Sequence, residues 1–95
     1  MTHSIHFNAT TEQAYQGLNQ STLEQAKQDN GYRSYAWAGY KQWEANGRQV
    51  IKGSRSSLIK IVLEFSEKNE KTGEVTKRTR VRELRVFNFE QTKEA

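Results

Sequence analysis

The chain has no cysteine, no proline and only one methionine among its 95 residues. Without cysteine there is neither a disulfide staple nor a thiolate metal site, and the composition suits a reducing cytosol. There are no internal repeats and no low-complexity tract, and 95 residues make one domain. The opening, MTHSIHFNATTEQ, lacks the apolar core of a signal peptide. No window approaches the roughly 20 apolar residues of a membrane span. These absences predict a soluble protein of the bacterial cytoplasm with no membrane partner. An acidic excess is missing too, which excludes a mimic of DNA.

What is present is base and ring. The net charge is +4 and the pI near 9.5. Residues 1–30 hold one base against three acids, residues 31–66 six against two, and residues 67–95 eight against six. The basic excess therefore lies in the last two-thirds, where it attracts polyanions over about 8 Å at physiological salt. Ten aromatics are too many for a disordered chain, although hydrophobic residues make up only 34%. Five of the ten (Tyr32, Tyr35, Trp37, Tyr40 and Trp43) fall between Gly31 and Gly53, among Arg33, Lys41, Arg48 and Lys52.

Local signals predict an α+β fold. Thr10 and Thr11 precede Glu12 and Gln13 as an N-cap would, which predicts a helix over 11–19. Ser21 with Glu24 reads as a capping box for a second helix over 22–29, which Asn30-Gly31 ends. Residues 32–37 read as a ring-rich loop. A third short helix runs from about 39 to 46, followed by a short strand over 49–51 and a turn at Lys52-Gly53-Ser54-Arg55-Ser56. Residues 58–65 alternate cleanly and predict a half-buried antiparallel strand. After a charged loop over 66–73, residues 75–89 form a long second strand. Its apolar positions change phase, which predicts a bulge near Arg82–Glu83 or two strands. The helices are expected to pack on a small antiparallel sheet with a long C-terminal β-hairpin. Residues 1–9 and 91–95 are expected to be flexible.

Three groups of residues suggest binding. Tyr32, Tyr35 and Trp37 beside Arg33 combine rings that stack on any base with a cation for phosphate, the needs of a single-strand surface. Trp37, Tyr40 and Trp43 share a helical spacing of three, and large rings in a small domain are also the natural core. Lys52, Gly53 and Arg55 with their serines could bring backbone close to a phosphate, or form an ordinary turn; the spacing is not that of a Walker loop. Lys77, Arg78, Arg80, Arg82 and Arg85 make an extended cationic row with only Glu83 among them. Arginines fork onto phosphates, and five bases exceed what protection of a strand edge requires.

Catalysis has little support. His3 and His6 stand alone near the terminus, without an HExxH motif, so no metal site is expected. No Ser, His and acid arrangement and no cluster of aspartates is present. A binding protein without cofactor is expected rather than an enzyme.

Four short motifs occur in order: Tyr15, Gly17, Leu18, Asn19; Gly31, Tyr32, Trp37, Gln42; Gly47, Val50, Lys52, Gly53; and Val86, Phe87, Asn88, Glu90, Gln91. In this the chain resembles the N-terminal single-stranded-DNA-binding domain of ArdC-type antirestriction proteins, also found on TraC-type plasmid primases. The resemblance implies an α+β fold that binds single-stranded DNA in phage or plasmid proteins serving antirestriction or DNA transfer. The zinc metalloprotease that usually follows in the family has no counterpart in the matched motifs, so peptidase activity is not carried over. Ser54-Arg55-Ser56 departs from the family pattern after the Lys-Gly turn.

Two readings follow. In the first, a stand-alone module binds single-stranded DNA, with RNA left open, through Tyr32, Arg33, Tyr35, Trp37, Lys41, Arg48, Lys52, Arg55, Arg78, Arg80 and Arg82. In the second, a small inhibitor, antirestriction or anti-CRISPR, binds a host defence nuclease complex with the same rings as protein hot spots.

Overall fold

The computed structural model describes residues 5–95. The expectation for His3 lies outside them. Two α-helices, α1 (Leu18–Asn30) and α2 (Tyr40–Ala45), pack on a mixed sheet of order β1-β2-β5-β4. Its strands are β1 (Phe7–Asn8), β2 (Ala36–Ala38), β4 (Ser57–Lys68) and β5 (Val75–Asn88). A second, two-stranded sheet joins β3 (Arg48–Val50) to β6 (Thr92–Glu94), which follows a 3-10 turn at Phe89–Gln91. The α+β class holds. The sheet is not wholly antiparallel, because β1 pairs with β2 in parallel.

The expected helix over 11–19 does not form. Asn8 Oδ1 accepts hydrogen bonds from the amides of Thr10 and Thr11, a local turn that competes with a helix start. Glu12 then takes a positive φ of 63° and Ala14 bridges back to Phe7. One helix replaces the expected pair, and it runs straight through Ser21. The Gln20 side chain ties it to the N-terminal segment, accepting from the His6 amide and donating to the carbonyls of His6 and Tyr15. Gly31, left-handed at φ 69°, ends the helix as its type predicts.

Neighbouring residues of β5 point to opposite faces of the sheet, and each face has its own core. Val86 joins Leu23 of α1, Trp37 and Ile59. Phe87 packs against Ala38, Val50 and Trp43 of α2, whose indole N–H donates to the Phe87 carbonyl at 2.9 Å. Trp37 is the largest fully buried side chain.

The hairpin has no bulge. Its register is unbroken from Ser57↔Val86 to Lys68↔Val75, so a bulge at Arg82–Glu83 is corrected. The phase change has a simpler cause. One face of β5 runs Val86, Leu84, Arg82, Arg80, Arg78: apolar over the core, then cationic where the strand leaves it. The loop that sets this register is closed by the Asn69 amide on the Glu74 carbonyl and the Gly73 amide on the Asn69 carbonyl. Every residue from Val62 to Arg85 is exposed. This arm accounts for overall dimensions of 54 × 28 × 27 Å.

Both ends of the described residues carry strand pairing. β1 pairs with β2, and β6 pairs with β3 over Arg48↔Glu94 to Val50↔Thr92. Gln91 and Thr92 are buried, with the Gln91 side chain bonded to the Asn88 amide and the Arg55 carbonyl. The described residues of 1–9 and residues 91–95, expected to be flexible, take part in regular pairing with the rest of the fold.

Candidate nucleic-acid interface

The residues proposed from the sequence fall in three places. Tyr32, Arg33, Tyr35 and Trp37 lie beside the C-terminal end of α1. Trp37 is not a loop ring. It sits in β2 at 0% exposure, with its indole N–H donating to His6 Nδ1 at 2.8 Å. An indole N–H can only donate, so Nδ1 accepts and Nε2 donates to Glu24 Oε1 at 2.9 Å. Trp37 therefore has no face for a base, and His6 belongs to the core.

Tyr32 and Tyr35 are half-buried. Tyr32 meets the edge of Trp37 with centroids 6.1 Å apart. Partial burial, and secondarily the Glu90 carboxylate, raises its hydroxyl pKa above the usual tyrosine value. Tyr35 is flanked by the His6 ring at 4.8 Å and by Lys27 Nζ, 4.8 Å from its centroid. Arg33 is exposed.

Lys41, Arg48, Lys52 and Arg55 belong to the α2 side. Arg48 serves the fold: Nε donates to Thr92 Oγ1 at 2.7 Å, and the guanidinium lies 4.1 Å from the Phe89 ring centroid. Lys41, Lys52 and Arg55 are exposed. The turn at Gly53 has φ 89°, and the Ser54 amide donates to the Ile51 carbonyl.

The arm brings together the third group. Cross-strand pairing sets Ile61 opposite Arg82, Leu63 opposite Arg80 and Phe65 opposite Arg78. Directly opposed residues share a face, so each of the three arginines stands beside an apolar side chain on one face, exposed except at the half-buried Ile61. Successive arginines on the strand are about 6.8 Å apart. Arg80 lies 5.8 Å from the Phe65 centroid, and Arg78 pairs with Glu67 at 3.2 Å. This face continues the α1 side of the sheet, since Ile61 packs against the Trp37 core. Reading the chain strand by strand misses Ile61, Leu63 and Phe65 as site residues. Pairing the strands outward from the Asn69–Glu74 loop would have found them. Among the described residues, no three His, Asp or Glu side chains gather as metal ligands would, and no helix is long and apolar enough to cross a membrane.

Residues 1–92 match the family described as the N-terminal domain of anti-restriction factor ArdC. The chain belongs to this ArdC family. The crystal structure of the antirestriction ArdC protein from plasmid R388, in its metal-free form, superposes with a TM-score of 0.80 at 30% identity. The alignment covers 95% of this chain and 32% of that one. The Mn(II)-bound form gives 0.73 at 28% identity, covering 95% and 35%. Protein y4eC of Sinorhizobium fredii (strain NBRC 101917 / NGR234) is 38% identical over 52 residues, 55% of this chain and 17% of that protein. The chain thus spans about a third of the solved ArdC chains. The ArdC resemblance read from the motifs is confirmed, and it places the chain in an antirestriction family.

Proposed function

We propose that the chain is a non-enzymatic module that binds single-stranded DNA with little sequence preference, along the arginine-bearing face of the β4–β5 arm. The observation that carries this reading is the row of Arg78, Arg80 and Arg82 standing opposite Phe65, Leu63 and the half-buried Ile61 on one face of the arm. A duplex hides its base faces and would leave that apolar row uncovered. A single strand offers phosphates to the arginines and bases to Phe65 and its neighbours. Membership of the ArdC antirestriction family supports the reading; on it, the module would serve the protection or transfer of phage or plasmid DNA in a host cytoplasm.

Fluorescence anisotropy with labelled oligo(dT), oligo(rU) and duplex DNA over a salt series tests the reading. Three phosphate contacts should make log K fall against log salt with a slope of about −2 on a single strand. Binding that ignores salt, or that prefers the duplex, overturns it. The second reading, contact with a host defence nuclease, is favoured by the reverse face of the arm, where Val62 and Val81 oppose each other at 64% and 60% exposure. A pull-down from nuclease-treated host lysate that retains one nuclease subunit would support it.

A further inference from the structure

Gly31 and the three residues that follow it use their amides in two different ways. The amides of Gly31 and Tyr32 turn back to close α1, donating to the carbonyls of Gln28 and Lys27. Those of Arg33 and Ser34 both donate to a single atom, Oε2 of Glu90, the second at 2.7 Å. Glu90 comes from 56 positions along the chain. The 3-10 turn delivers it: Asn88 Oδ1 accepts the Glu90 amide, while Asn88 Nδ2 donates to the Ser34 carbonyl. Two consecutive amides converging on one oxygen are a recurrent anion-binding arrangement. Here the anion is the protein's own, and both Arg33 and Glu90 are exposed to solvent.

The surroundings suit a phosphate better than a carboxylate fixed for structure alone. Arg33 supplies a guanidinium from the same residue as the first amide. Tyr32 adjoins that residue in sequence, and Lys27 covers the Tyr35 ring. A phosphate monoester or diester would offer at least two oxygens, one for the amide pair and one for Arg33.

We propose that the Arg33–Ser34 amide pair is a phosphate subsite and that Glu90 is its resident competitor. In the free protein the carboxylate fills the site. A phosphate group displaces it, and the carboxylate swings into solvent. On the reading of the chain as a single-strand binder, from which this step takes its ligand, the displacing group is a backbone phosphate next to a base on Tyr32. That would place a second anchor beside the base end of β5, where Asn88 bonds the Ser34 carbonyl, about 33 Å from Arg78 by strand rise.

The test has two arms. Amide NMR spectra of the whole chain are followed while inorganic phosphate is titrated, for wild type, Glu90→Ala and Glu90→Gln. The Arg33 and Ser34 resonances should move in Glu90→Ala at concentrations at least tenfold below those needed in wild type, with Glu90→Gln between them. If Glu90→Ala does not fold, Glu90→Gln, which keeps the acceptor oxygen, is read alone against wild type. Unmoved Arg33 and Ser34 resonances in the folded variant overturn the proposal, whatever the chain does with DNA. In the second arm, Glu90→Ala should bind oligo(dT) three- to tenfold more tightly than Glu44→Ala, which removes the same charge from the exposed end of α2. Equal gains would mean a general charge effect and would sink the DNA part of the proposal. A phosphate response without oligo(dT) binding in any variant would leave the subsite standing and overturn the single-strand reading.

Discussion

The base of the molecule and its arm are made from the same kinds of residue and use them in opposite ways. In the base, rings and cations answer each other. Trp37 is sealed and bonded to His6, Trp43 to the Phe87 carbonyl, and Arg48 lies over Phe89 against Thr92. In the arm, from Val62 to Arg85, every side chain faces water, and one face repeats arginine beside an apolar neighbour with few internal partners. A two-stranded ribbon in water is marginal by itself. The lesson is that an aromatic-basic composition does not locate a binding surface. What locates it is whether the hydrogen-bonding and stacking capacity of those residues is already used inside the fold.

The largest effect should come from breaking the base. Trp37→Ala removes the biggest buried ring and leaves His6 Nδ1 without its donor, so unfolding should become easier by about 3–5 kcal/mol. For a domain of this size that can abolish the fold, and urea or thermal denaturation reads it. A loss below about 1 kcal/mol would erase the contrast between the two regions. The triple variant Arg78→Ala, Arg80→Ala, Arg82→Ala should do the reverse. Its stability should stay within about 1 kcal/mol of wild type, as exposed substitutions do. Its affinity for oligo(dT) should fall roughly 10- to 100-fold at low salt, with the salt slope shrinking by about 2.

The junction between the regions gives a smaller effect. Asn19 of α1 bonds both the amide and the carbonyl of Lys60, at 3.0 and 2.7 Å, and so occupies the outer edge of β4 where the arm begins. Asn19→Ala should cost about 1 kcal/mol in two partly exposed hydrogen bonds, and hydrogen exchange should speed up in the arm before the base. Smallest is a pH effect confined to the base. Hydrogen bonds from Gln28 and then His6 hold the Glu24 carboxyl below its ordinary value of 4.5. A carboxylate depressed in the folded state stabilises above its unfolded pKa, and that contribution is lost as pH falls through the folded one. The Tm of wild type should therefore drop between about pH 5 and pH 3 more steeply than that of Glu24→Gln. Parallel curves would show that the contact adds nothing to stability.

Much of this was legible one element at a time. Gly31 and Gly47 end the two helices as their residue type predicts, and the alternation of residues 58–65 gives a strand with one buried end. The failures come from distant pairing. Trp37 reads as an exposed loop ring until β1, thirty residues earlier, lies beside it in parallel. Residues 10–13 carry good helix-start signals, but Asn8 captures the amides first. Arg48 looks free until Thr92 and Phe89 return from the far end of the chain. The arginine row itself was legible. Its apolar partners were not, because they belong to the other strand and become neighbours only through the register that the Asn69–Glu74 loop imposes.

On the single-strand reading, the reach of the arm also sets how a polyanion is met. From Ile61, opposite Arg82, to Phe65, opposite Arg78, the row of guanidinium groups runs about 14 Å outward, more than one screening length from root to tip at physiological salt. The charges of Glu24 and Asp29 on α1 are therefore screened more at Arg78, the outer end, than at Arg82, the root. An approaching strand would then meet this row, three guanidinium groups against Glu67 on one face of the arm, ahead of the base, so the first contact orients whatever the body adds afterwards.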